Sequence, residues 1–467
     1  MHYRSTRGQA PVLSFEEVLL TGLARDGGLY LPVEWPGFSA SAWRSLGGAD
    51  YCVLAQRMLA PFVGAPIAAQ LSETLEAAYA GFAHKSVAPL VQLQPNLWLL
   101  ELFHGPTLAF KDVAMQLLGQ LFERVLTARG ERLTVVGATS GDTGSAAIEA
   151  LKGSGAVEVF ILHPKDRLSE VQRRQMTTVQ ANNVHNIAIE GTFDDCQDLV
   201  KALFNDHAFR DRFHLSAVNS INWARILAQS IYYAYAALAL GAPERKIDFV
   251  VPTGNFGNVF AGYVTQRMGL AMEKLVVAAN SNDILPRFLE SGRMSLGAVQ
   301  PTLSPSMDIQ ISSNFERLLF EVLDRDGARV AALLQSFREK GAFTLEEETM
   351  ARILERFAGA RLNDSGTLAE IERTYGETGY LLDPHTAIGV AAARKRLAAG
   401  AGATVALSTA HPAKFPAAVE KACGQRPALP TRLSGLFERQ EYYFILPNDA
   451  AGLKGFIGDR VSGSMAA

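Results

Sequence analysis

Cysteine is scarce in this 467-residue chain: Cys52, Cys196 and Cys423 stand far apart, with no CxxC pairing. That excludes a disulfide framework or a cysteine zinc site and fits a reducing compartment. Charge of one sign is also missing. With 44 basic and 47 acidic residues the formal net charge is −3, and no basic block stands out. A nucleic-acid partner would leave a basic patch, so none is expected. An anionic ligand must be held by a local site, not by the field of the whole molecule. No apolar run is long enough to cross a bilayer. The longest, Ile231 to Leu240, is rich in Tyr and Ala and reads as a buried helix. The first residues, MHYRSTRGQAPVLSFEE, hold no apolar segment of signal-peptide length, so a cytoplasmic protein outside the membrane is expected. Repeats, low-complexity tracts and long flexible linkers are absent too.

What is present is a large apolar fraction, 48 %, against 19 % charged residues, ample for a sizeable core. At ~150 residues per domain the length suggests two or three domains. Residues 1–95 mix short helical patterns with turn signals such as RDGGLYLP (25–32), and read as an N-terminal mixed α/β domain. From Leu97 the pattern becomes strand, helix, strand. Apolar runs at 97–103, 132–138, 157–164, 183–191, 246–254, 275–281 and 403–410 alternate with helical stretches at 113–130, 144–153 and 414–423. Uniformly apolar strands separated by helices predict mostly parallel, doubly wound sheets covered on both faces. Residues 96–467 form the catalytic core in this reading, with a smaller mobile subdomain at roughly 105–215. Two helical stretches, 315–340 and 345–375, flank GAFTL.

In such sheets ligands bind beyond the carboxyl ends of the strands. Three loops of unusual composition fall there. PTGNFGN (252–258) lies between an apolar strand and a helix, and Gly254 and Gly257 let the backbone approach an anion closely. It lacks the lysine of a P-loop, which suits a cofactor phosphate that is not transferred. A tight turn explains the same residues. GATSGDTGSA (137–146) offers a donor-rich loop suited to a carboxylate, although Asp142 or Thr143 could equally serve as a helix cap. ELFHGPTLAFKD (101–112) carries Lys111 into the first turns of a helix, where the dipole disfavours a cation. An apolar setting there would lower the amine's pKa, as a Schiff-base lysine needs. Most lysines are solvated surface groups, and the conjunction of the three loops is what distinguishes this one.

With these residues in view the chain resembles the threonine synthase family in its longer form. The motifs are GLARDGGLYLP (22–32), HGPTLAFKD (104–112), GATSGDTGSAA (137–147), NSINWARILAQ (219–229), PTGNFGN (252–258), SPSMDIQISSNFERLLF (304–320), DPHTAIGV (383–390) and STAHPAKFP (408–416). The resemblance implies the tryptophan-synthase-β-like fold (fold type II), in which two α/β domains close over pyridoxal 5′-phosphate. It implies conversion of O-phospho-L-homoserine and water into L-threonine and phosphate, by γ-elimination then β-addition, as the last step of threonine biosynthesis. Lys111 would carry the cofactor. Gly254, Asn255, Phe256, Gly257 and Asn258 would hold its phosphate, and Thr409 would face its pyridine nitrogen. Asp142 would stand beside its 3′-oxygen, where relatives often have Asn. Ser140 and Thr143 would grip the substrate carboxylate. Arg225, Lys414, Ser312 and Ser313 are candidates for the substrate phosphate, against plain structural ion pairs. His104 and His411 read as hydrogen-bonded structural histidines. No metal is implied, and the protein would act as a monomer or homodimer. The rival readings are a related lyase or dehydratase releasing 2-oxobutyrate, and an inactive scaffold of the same fold.

Overall fold

The computed structural model describes residues 1–139 and 141–466. Two parallel sheets form its frame. The larger has six strands in the order Phe357–Arg361, Met272–Ala279, Ile247–Pro252, Thr404–Ser408, Leu97–Glu101 and Leu90–Gln94. Its pairs are parallel except the last, which is antiparallel. The smaller has five parallel strands in the order Phe444–Pro447, Val184–Glu190, Val157–Pro164, Leu133–Ala138 and Leu215–Ser216. A three-stranded antiparallel sheet of residues 2–5, 13–14 and 30–32 lies at the N-terminus.

The central strands are buried along their whole length, every residue of Val157–Pro164 and Ile247–Pro252 included. That follows from helices covering both faces, which leaves no solvent side to alternate towards. Residues 231–239 of the apolar segment form the second half of the buried helix Trp223–Ala239, which Leu240 caps. It packs on the helix Lys111–Arg129, and both contribute to the main core.

Helix Lys111–Arg129 also crosses helix Asp142–Leu151 at very short range. A Cβ on Gly119 would lie 2.3 Å from the carbonyl oxygen of Ala150. Only glycine permits that approach, and it sets the spacing between the two helices whose first residues are Lys111 and Asp142. Gly119→Ala is therefore expected to cost about 1–3 kcal/mol of stability by overpacking. Chemical denaturation would show it as a lower midpoint.

Three features depart from the expected pattern. The stretch 345–375 is not continuous helix: Glu347–Leu354 and Asp364–Thr378 flank an edge strand, Phe357–Arg361, of the six-stranded sheet. A Cβ on Gly359 in that strand would lie 3.0 Å from Cα of Pro286, so the strand is pressed against its neighbour. The stretch 315–340 breaks at residues 323–326, between Phe315–Val322 and Gly327–Lys340, where Asp324 and Arg325 both have positive φ. Finally, the C-terminal strand Phe444–Pro447 and helix Ala450–Ala466 return to the smaller sheet. Leu453, Ile457 and Val461 share its core with Phe160 and Ile189.

Candidate active site

Lys111 opens its helix directly after a turn that the sequence builds tightly. Leu108 takes a left-handed conformation, φ 64°. Thr107 anchors the turn by donating from N and Oγ1 to the two carboxylate oxygens of Asp112, at 2.8 and 2.6 Å. Gly105 is required, because a Cβ there would lie 2.3 Å from Cβ of Asp112. Burial raises the Asp112 carboxyl to about 6, offset in part by its bonds from Thr107. The segment then runs against the loop after strand Thr404–Ser408: Phe110 N–H donates to the Thr409 carbonyl at 2.9 Å and His411 N–H to that of Leu108 at 3.0 Å. Lys111 and Thr409 are thus held on adjoining stretches of backbone. The Thr409 hydroxyl has no partner among the described residues, while its N–H donates to Thr386 Oγ1 at 3.3 Å.

The Lys111 side chain is 13 % exposed, with its amine 3.3 Å from Asp142 Oδ2. Burial lowers its proton affinity most; Asp142 works against that, and Lys414 and Arg225 reinforce it. Asp142 is the centre of the cluster. Its Oδ1 accepts from Lys414 Nζ at 2.8 Å and from Gln172 Nε2 at 2.9 Å, and its Oδ2 also accepts from Ser306 Oγ at 3.3 Å. Burial alone would raise this carboxyl, but the two ammonium groups outweigh it and hold it well below the usual range. It does not cap its helix. Thr139 Oγ1 takes the N–H groups of Gly141 and Gly144, both at 2.9 Å, so the carboxylate is spent on cations rather than backbone. Thr143 sits half-buried in the same helical turn. Ser140 lies outside the described residues.

The 252–258 loop ends strand Ile247–Pro252 and begins helix Gly257–Arg267, which no side chain caps. Phe256 holds the left-handed conformation, φ 61°, that turns the chain into the helix. The cradle is closely walled: a Cβ on Gly254 would lie 3.1 Å from Ile309 Cδ1 and 3.3 Å from Met307 Cα, and one on Gly257 would lie 3.2 Å from Asn314 Nδ2. Ser312 Oγ donates to the Gly254 carbonyl at 2.8 Å, and Asn314 N–H to that of Asn255 at 3.1 Å. Ser313 lies 3.4 Å from Asn255 Oδ1. Asn258 is buried; its Oδ1 accepts from Tyr232 and Tyr233, while its Nδ2 has no partner. Unspent helix N–H groups, a glycine notch and an orphaned amide donor fit an anionic cofactor tail. One segment joins the two halves of the site. Ser306 touches Asp142, and Met307 walls Gly254.

Arg225 is buried, with one bond from Nη1 to the Val218 carbonyl and an unpaired Nε. Burial pulls its guanidinium down to about 10. Lys414 is 0 % exposed, and its amine is shared between Asp142 and the Thr107 carbonyl at 2.8 Å. His104 Nε2 meets Glu101 Oε2 at 2.7 Å, the paired state expected of a structural histidine. His411 Nδ1 accepts from Ala413 N–H at 3.2 Å, and burial, with Arg432 nearby, lowers its pKa to about 4. A histidine depressed in the fold releases stability as it is protonated. The loss should therefore run from the unfolded value near ~6.5 down to about 4. His411→Asn, which keeps an acceptor, is expected to flatten the fall of the melting midpoint between those limits.

Sequence reasoning assigned no role to Ser306, His385 or Asp383. Asp383 Oδ1 lies 2.8 Å from His385 Nδ1, and His385 Nε2 accepts from Ser306 N–H at 3.3 Å. The other carboxylate oxygen of Asp383 holds Thr386, the residue that receives the Thr409 N–H. One buried carboxylate thus braces both the Ser306 segment and the Thr409 loop. Its only local signal is the Asp-Pro start of a helix, which reads as an ordinary cap.

Three family models match the chain: "Threonine synthase N terminus" over residues 2–79, "Pyridoxal-phosphate dependent enzyme" over 84–336, and "Threonine synthase, C-terminal" over 386–457. The threonine synthase of Pseudomonas aeruginosa is 54 % identical, with 98 % of each chain aligned. Among solved structures, a PLP-bound threonine synthase from Brucella melitensis superimposes with a TM-score of 0.96 at 54 % identity, covering 99 % of each chain. The yeast threonine synthase superimposes with a TM-score of 0.93 at 40 % identity, also over 99 % of each. The expected fold class, the mostly parallel α/β fold of the fold type II pyridoxal-phosphate enzymes, is the one observed. The chain belongs to the threonine synthase family, and its cofactor is pyridoxal 5′-phosphate.

Proposed function

We propose that this chain converts O-phospho-L-homoserine and water into L-threonine and phosphate, with Lys111 as the lysine that carries the cofactor. The observation that carries this reading is the buried Lys111 amine, 3.3 Å from a carboxylate that is itself tied to the segment walling Gly254. When bound, the cofactor supplies an electron sink for carbanionic charge. The rest is done by the protein. Residues 254–258 and the start of their helix hold the cofactor's phosphate through backbone N–H groups, with Asn258 Nδ2 as a further donor. Thr409 would offer the pyridine nitrogen a hydroxyl rather than a carboxylate, a partner that favours the less protonated ring. Asp142 would stand beside the cofactor's 3′-oxygen. Thr143 and Ser140, at the start of helix Asp142–Leu151, take the substrate carboxylate.

Lys111, once free, is the base within reach of the reacting carbons. Its neutral amine takes the Cα proton, hands it back to the bound molecule to become a base again, and then takes a Cβ proton as the Cγ–O bond breaks and phosphate leaves. Protons return to Cγ and Cα while water gives its hydroxyl to Cβ and its proton to the phosphate. A depressed proton affinity favours the neutral form of that amine, the form a general base needs. Arg225, with its unpaired Nε, and Ser312 and Ser313, beside the 254–258 loop, are the groups we assign to the substrate phosphate. We place the enzyme in the cytoplasm as a monomer or homodimer; no helix among the described residues is long and apolar enough to cross a membrane.

Product analysis tests the reading. Incubation with O-phospho-L-homoserine should release phosphate and threonine in equal amounts. Release of 2-oxobutyrate in place of threonine would assign the chain to the lyase alternative.

A further inference from the structure

The site holds more buried positive charge than one carboxylate can satisfy. Lys111, Lys414 and Arg225 all face it, while Asp142 is the one carboxylate that touches both lysines. Asp112, the next residue along from Lys111, takes a hydrogen bond from Thr107 on each carboxylate oxygen; it lies in the field of Lys414 but does not touch it. The two lysines are not equivalent. Lys414 is fully buried and has two acceptors at 2.8 Å, Asp142 Oδ1 and the Thr107 carbonyl. Lys111 has a single, longer hydrogen bond, 3.3 Å to Oδ2, lies over the Phe110 ring, and keeps part of its surface exposed. In a low-dielectric pocket a carboxylate stabilises most strongly the cation held closest and with most hydrogen bonds.

We propose that Lys414 is a positioning residue for the reaction: it takes the charge of Asp142, so that the nitrogen of Lys111 sheds its proton and stays available for covalent bonding and proton transfer. It does so from the opposite side of the carboxylate and touches neither Lys111 nor any opening of the cleft. Ser306, seated on His385 and through it on Asp383, donates to Asp142 Oδ2 at 3.3 Å and so shares with Lys111 the oxygen that faces it. A lysine committed in this way is not placed to receive a substrate phosphate, the role its sequence position suggested. The direction of the Lys111 shift agrees, since Lys414 is the larger of the two cationic contributions to it.

This inference rests on Lys111 being the cofactor lysine. The decisive readout is the pH midpoint of the visible absorbance of the holoenzyme, which follows protonation of the Lys111 nitrogen, measured alongside kcat and KM. Removing a like charge should raise that midpoint, and removing the carboxylate should lower it. Lys414→Met is expected to raise it by about one pH unit or more. The same variant should cut kcat about 10–100-fold at neutral pH, with KM for O-phospho-L-homoserine within about threefold. Lys414→Arg should bring the midpoint back towards its original value. Asp142→Asn should move it the opposite way, and this variant alone decides the matter if Lys414→Met does not fold.

Midpoints that move in the same direction in the two variants would overturn the proposal. So would an unmoved midpoint with KM raised about tenfold, the mark of a substrate-phosphate ligand. Borohydride trapping and peptide mapping of each variant separate this failure from failure of the Lys111 assignment, which would place the adduct on another lysine.

Discussion

Lys111→Ala loses threonine formation by at least about 10⁴-fold, while its melting midpoint stays close to that of the unchanged protein. The expectation follows from two observations. The amine makes one hydrogen bond, 3.3 Å to Asp142, and lies over the Phe110 ring; the carboxylate keeps Lys414, Gln172 and Ser306 as partners when Lys111 is gone. No buried charge is orphaned, so stability should barely change. Both the covalent tether and the proton-transfer base are lost together, and no second amine is free to replace them, since Lys414 is committed elsewhere. Cofactor should still bind non-covalently through residues 254–258. Steady-state assays with differential scanning calorimetry would check both halves, and turnover within about tenfold of the unchanged enzyme would remove Lys111 from its assigned role.

Gly254→Asp is the second large effect. Its Cβ would press on Ile309 and Met307 at 3.1 and 3.3 Å, and its carboxylate would enter the place assigned to a phosphate at a helix start. Like charge and lost backbone approach act in the same direction. Affinity for pyridoxal 5′-phosphate is expected to fall by at least about 100-fold, at ~2.7 kcal/mol for two tenfold steps. Gly254→Ala isolates the steric part and should lose less. Absorbance titration of the apoprotein with cofactor would measure both, and equal affinity in Gly254→Asp and the unchanged protein would rule out the cradle.

Much of this was legible in the sequence because the relevant signals are local. A loop such as PTGNFGN, set between an apolar strand and a helix, announces close backbone approach by composition alone. The strands at 157–164 and 247–252 are buried on both faces and were found almost to the residue. The strand Phe357–Arg361 was hidden inside a helical stretch, since its role depends on pairing with Met272–Ala279. The return of Phe444–Pro447 to the smaller sheet is likewise a matter of topology and leaves no local trace.

In the site, residue type was a good guide to membership and a poorer one to role. Lys414 reads equally as a cation for a phosphate or as a structural ion pair; its burial and its two acceptors are visible only in the fold. Asp142 reads as a helix cap until Thr139 is found doing that work. The Asp383–His385–Ser306 line joins positions 79 residues apart in the chain, so only the fold could bring it together.

The assignment of the cofactor lysine has one direct test. The holoenzyme is reduced with borohydride, digested and mapped by mass spectrometry, and the pyridoxyl adduct should sit on the peptide containing Lys111. An adduct on Lys414 or any other lysine, or no adduct at all, would contradict it.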